Sequence, residues 1–110
     1  MTSYIEQKND YIRRLVEHVY KVSYDKILSH TRDKELITPR KAMMFLMREY
    51  LGLSYPYIGR RLNRDHSTVI YGVRTFNADE FYERTGITKE ELTSKLSGIW
   101  AQEKVNLDEI

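Results

Sequence analysis

Cysteine is absent from the 110 residues, which excludes disulfides, thiolate chemistry and cysteine-based zinc sites. Glycine and proline are scarce, five and two, too few for the turns of an all-β domain, so a helical domain is expected. No apolar run approaches the about 20 residues of a membrane span or the roughly 7–15 of a secretory leader's apolar core. A cytoplasmic protein with no membrane partner is the expectation. A glycine-rich loop ending in Gly-Lys-Ser/Thr is also missing, so no nucleotide partner is expected. His18, His30 and His66 lack the paired spacing of metal ligands, and the sequence calls for no metal or cofactor.

What is present is charge, unevenly placed. The net charge is only +2, yet residues 31–76 carry nine Lys/Arg against four Asp/Glu, while residues 77–110 carry four against eight. A basic block followed by an acidic one suggests a polyanionic partner for the middle segment. A solvated surface with chance clustering explains the charges equally well if nothing else is considered.

The apolar periodicity predicts an all-α chain of about six helices, packed as a bundle. Ser3 and Glu6 form a capping box before a helix whose inner face is Ile12, Leu15, Val16, Val19 and Tyr20. A short helix follows Ser23 and contains Ile27 and Leu28, and residues 30–37 read as a loop. Thr38 before Pro39 reads as an N-cap for a helix ending at Gly52, with Ala42, Met43, Leu46, Met47 and Tyr50 inward. Ser54 opens another helix with Pro56 in its first turn. Asn63, which tolerates left-handed backbone, ends it. Asp65 caps a further helix in which Val69, Val73 and Phe76 form the inner stripe. Thr88 with Glu91 caps a last helix whose apolar face is Leu92, Leu96, Ile99 and Trp100.

Residues 58–69, IGRRLNRDHSTV, have the spacing of a helix-turn-helix. Ile58 and Leu62 face inward on the first helix, Gly59 allows close approach, Asn63 turns the chain, and Val69 packs the second helix back. Such a unit presents the start of its second helix to the DNA major groove. Here that start is Asp65, His66, Ser67 and Thr68. Asp accepts from a cytosine amine, His and Ser exchange hydrogen bonds, and the Thr methyl suits a thymine methyl. Helix pairs with short turns also serve as plain scaffolding.

At Arg64-Asp65-His66-Ser67-Thr68-Val69 the sequence resembles the C-terminal DNA-binding domain of the bacterial replication initiator DnaA. The likeness extends to Tyr57-Ile58-Gly59, to Pro39-Arg40 and to Arg32, over residues 9–80. It departs at the turn, where Leu62-Asn63 stands for a longer Phe-Gly-Gly type turn. The resemblance implies double-stranded DNA as partner, base readout by Asp65, His66, Ser67 and Thr68, and a minor-groove arginine at Arg32. It further implies phosphate-backbone contacts by Arg40, Arg48, Tyr55, Pro56, Arg64 and Arg74. Such contacts set register and affinity rather than sequence. Residues 1–85 are then the DNA-binding domain and 86–110 a helical extension docked on it, or a protein-partner helix anchored by Trp100.

Asp65, His66 and Ser67 name the members of a hydrolase triad, but consecutive helical residues point about 100° apart and cannot form a nucleophile–base–orienter chain. No enzyme activity is expected. The functional readings are binding of DnaA-box-like sites in replication initiation or its regulation, and a transcriptional regulator or competitor of a host initiator. A protein-interaction module that kept the fold without DNA binding is the rival of another class.

Overall fold

The structure, a computed structural model, describes residues 3–108, with side-chain surroundings up to residue 99. It contains seven α-helices and no strand among the described residues. They are α1 (Tyr4–Tyr20), α2 (Tyr24–Leu28), α3 (Ile37–Leu51), α4 (Tyr55–Leu62), α5 (His66–Thr75), α6 (Ala78–Thr85) and α7 (Lys89–Asp108). The all-α class is as expected, with one helix more than the periodicity predicts.

Local chemistry sets most boundaries. The Glu6 N–H donates to Ser3 Oγ at 3.2 Å, and Lys21 leaves α1 with φ of 55°. Ser23 caps α2 by accepting from the Lys26 N–H at 3.3 Å, and the Glu17 carboxylate takes the Tyr24 N–H at 2.9 Å. Two free donors of that first turn are thus satisfied. Before α3 the expected loop contains a 3-10 turn, Lys34–Leu36, which carries Leu36 into the core. The α-helix then starts at Ile37, so Thr38 is not its N-cap but lies inside the first turn. Pro39 is still tolerated, because the first N–H groups of a helix have no intrahelical acceptor. Gly52, at φ of 64°, ends α3 as expected.

Residues 12–76 form one compact unit, and residues 3–11 with 77–108 form another. In the first, α5 packs against α3 and α4. Its core includes Ile12, Val16, Ile27, Leu46, Ile58 and Val69, all within 1% of complete burial. Met43, Met44 and Met47 are buried with them, as unbranched filling for an irregular interior. Each such side chain contributes about 1.5–3 kcal/mol on burial. The Phe45 and Phe76 rings pack together, tilted, with centroids 5.1 Å apart.

The second unit includes α6, which the sequence reading missed. Asn77 caps it by accepting from the Glu80 N–H at 3.0 Å, and Gly86 stops it at φ of 71°. Phe81 is its buried anchor, edge-on to Tyr82. Thr88 caps α7 as expected, accepting the Glu91 N–H at 3.1 Å, and Leu92 and Leu96 are buried. Trp100, expected on the same face, lies outside the described side chains.

Candidate nucleic-acid interface

The turn between α4 and α5 is built from three residues. Asn63 adopts φ of 60° and ψ of 45°, left-handed backbone that Asn tolerates better than most side chains. This lets the Arg64 N–H reach back to the Gly59 carbonyl at 2.8 Å. The chain then passes so close to α4 that a Cβ on Gly59 would sit 2.5 Å from the Arg64 carbonyl oxygen. Only glycine admits that approach without a shift of the main chain.

Asp65 follows as the N-cap of α5. Its carboxylate accepts from the Ser67 N–H at 3.2 Å and from the Ser67 hydroxyl. Those two bonds hold the Asp65 carboxyl below the usual Asp range, the hydroxyl bond contributing most. The second carboxylate oxygen, Oδ1, lies 3.7 Å from His66 Nδ1, and both side chains are about two-thirds exposed, 66% and 60%. Ser67 and Thr68 are exposed as well. All four residues expected to read bases are therefore together at the open start of α5. Ser67 and one Asp65 oxygen are also engaged with each other.

A groove beside this helix start is lined by Pro56, Gly59, Arg60, Asn63, Arg64, Asp65 and His66. Arg60, to which the sequence motifs assign no contact, lies on it and is exposed. Tyr71, 63% exposed further along α5 with the Lys41 ammonium 5.1 Å from its ring centre, was not singled out either. An exposed aromatic on a helix-turn-helix's second helix was the available signal.

The arginines differ in what they touch. Arg48 donates to the Leu53 carbonyl at 3.0 Å and stacks on Tyr55 at 4.3 Å, joining the end of α3 to the start of α4. Arg40 donates to the carbonyls of Ile27 (3.0 Å), Thr31 (2.9 Å), Lys26 (3.1 Å) and Ser29 (2.8 Å). Arg64 donates to those of Asn63 (2.9 Å), Ile27 (3.3 Å), Leu28 and Leu62 (both 3.4 Å), and to Ser29. Burial lowers the pKa of both guanidiniums. The Arg40 charge lowers Arg64 further, whereas Asp33 partly offsets the effect on Arg40. Arg32, Arg60 and Arg74 are exposed and make no hydrogen bond or ion pair among the described residues.

Two helices meeting at a glycine-dependent left-handed turn, the second with its capped start open beside basic side chains, define a helix-turn-helix domain. Comparison with known proteins narrows the class. The family "Bacterial dnaA protein helix-turn-helix" matches residues 9–75, and the chain belongs to it. It is 38% identical over 93 residues to the chromosomal replication initiator protein DnaA 1 of Chlamydia muridarum, covering 81% of this chain and 20% of that protein. It is 43% identical over 70 residues to the initiator DnaA of Sphingopyxis alaskensis, covering 63% of this chain and 16% of that protein. With the DnaA of Thermomicrobium roseum it shares 46% identity over 55 residues, 49% of this chain and 12% of that protein. The chain spans at most about a fifth of the length of these curated relatives. No solved structure matches it. No helix among the described residues is long and apolar enough to cross a membrane, and no group of three or more His, Asp or Glu among them is placed to hold a metal ion.

Proposed function

We propose that this chain binds double-stranded DNA sequence-specifically at DnaA-box-like sites, in replication initiation or its regulation. The observation that carries the reading is the open start of α5, where Asp65, His66, Ser67 and Thr68 are all exposed at a helix-turn-helix. In this reading His66 and Thr68 meet base edges in the major groove, and Asp65 offers Oδ1 while Oδ2 caps the helix. Arg32, exposed and unpaired among the described residues, enters the adjacent minor groove, where a narrow groove attracts guanidinium groups. Arg74, Arg60 and the main chain at Tyr55 and Pro56 meet the phosphates. Arg40, Arg48 and Arg64 add positive potential to the same segment while their hydrogen bonds point inward.

The test is selection from a random duplex pool. The reading expects recovery of one short asymmetric box, with His66→Ala and Thr68→Ala each costing about 1–3 kcal/mol on that box and little on unrelated duplex. Recovery of no preferred sequence would leave the protein-interaction rival in its place.

A further inference from the structure

The two internally engaged arginines converge on one short stretch of main chain. Arg40 comes from the first turns of α3 and Arg64 from the helix-turn-helix turn. Both donate to the carbonyls of Ile27 and Ser29. Arg40 also holds the Thr31 carbonyl, and Arg64 holds its own turn through Leu62 and Asn63. Two like charges are tolerated there because the carbonyls at the end of α2 have no helical donor and satisfy both forks. A third link runs from Asn63 Nδ2 to His30 Nε2 at 3.2 Å. The residue after Thr31 is Arg32, whose side chain is exposed and makes no hydrogen bond or ion pair among the described residues. The loop's main chain is therefore pinned on the side facing the helix-turn-helix turn, while Arg32 projects from the pinned segment.

We propose that Arg40 and Arg64 are positioning residues that pin the Arg32 loop from two sides, Arg40 to α3 and Arg64 to the turn preceding α5. They would thereby fix the spacing between the minor-groove and major-groove readers. The inference rests on the DNA-binding reading above and goes further by giving these two arginines a structural task in specificity instead of a phosphate contact. A planar fork with several fixed donors lets Arg40 hold several loop carbonyls at once and Arg64 hold carbonyls of both loop and turn. A lysine keeps the charge but loses that geometry.

The experiment compares wild type with Arg64→Lys, Arg40→Lys and Arg32→Ala. In the free protein, 15N relaxation should give rigid amides at residues 30–33, with order parameters near about 0.85, falling toward about 0.6 in either lysine variant. On DNA, affinity is measured for the selected box and for a box whose A·T flank is replaced by G·C. Wild type should prefer the A·T flank by about tenfold, equivalent to about 1.4 kcal/mol. Arg32→Ala should erase the preference, and the lysine variants should reduce it to below about threefold with the salt slope unchanged. Wild-type order together with wild-type flank preference in both lysine variants would overturn the proposal. So would an intact preference with a salt slope smaller by about 0.9, the signature of a lost phosphate contact. A wild-type protein that binds no duplex would overturn the DNA reading itself and with it the clamp's role in specificity, an outcome distinct from either of those. If one variant melts out of the folded state, the other carries the test, because the two arginines come from different elements.

Discussion

Adding one methyl group at Gly59 tests the turn on which the interface depends. In Gly59→Ala the new Cβ would lie 2.5 Å from the Arg64 carbonyl oxygen, 3.5 Å from the His66 nitrogen and 3.6 Å from the Arg64 carbonyl carbon. All three are main-chain atoms, so no side-chain rotation relieves the contact. Ordinary contact begins near 3.4 Å, and the turn must therefore yield by about 0.9 Å. Overpacking of this kind costs about 1–3 kcal/mol, and alanine's better helix propensity returns up to about 1 kcal/mol. The net expectation is a loss of about 1–2 kcal/mol, seen as a melting temperature lower by roughly 4–15 °C. Affinity for the selected box should fall more than stability does, because the displaced segment leads directly into Asp65, His66, Ser67 and Thr68. A loss of about 10- to 100-fold corresponds to one disturbed base contact. Circular dichroism melts and fluorescence anisotropy at a temperature where both proteins are folded separate the two effects. A melting temperature at or above wild type with unchanged affinity would refute the close-approach argument.

Gly72→Ala is the matched contrast: its Cβ would meet Met44 Sδ at 2.4 Å, but a thioether swings away, so a change within about 1 kcal/mol of neutral is expected. A loss as large as that of Gly59→Ala, measured in the same melts, would count against the distinction. At the turn, Asn63→Ala should cost about 1–2 kcal/mol from its left-handed backbone, whereas Asn63→Gly should be better tolerated. Equal losses by chemical denaturation would instead assign the effect to the Asn63–His30 bond. Because the Asp65 carboxyl titrates below the usual range in the folded chain, the stabilisation from its ionised form is present above that range and is lost as pH falls through the lowered value. Ser67→Ala removes the main donor, and NMR titration should find Asp65 closer to an ordinary Asp; an unchanged titration would refute the assignment.

Much of the fold was legible because short-range chemistry sets it. Ser23, Ser54 and Asp65 each cap the helix expected of them, and Gly52 and Asn63 both adopt left-handed backbone. The start of α3 was misplaced because Leu36 is drawn into the core by a 3-10 turn, a tertiary demand that the Thr38-Pro39 signal does not report. Helix α6 went unseen because it is eight residues long and Phe81 is its one buried side chain. Its signals were Asn77 followed by Asp79 and Glu80, with Gly86 at the end. At the interface, the exposed start of α5 follows from the position of Asp65 alone. The targets of Arg40 and Arg64 do not, since their acceptors are main-chain carbonyls, most of them 9–37 residues away. A carbonyl carries no residue-type signal, so such arginines look identical in sequence to ones that reach phosphate.

The central claim is that this helix-turn-helix reads a DNA sequence, and equilibrium binding across a salt series tests it most directly. The selected box and a shuffled duplex of the same composition are titrated from low to physiological ionic strength. With about three DNA charges offset by Arg32, Arg60 and Arg74, both should weaken with a log–log slope of about −3. The box should stay tighter by about 10³-fold or more. A slope near zero, or equal affinities for the two duplexes at every salt concentration, would contradict the account.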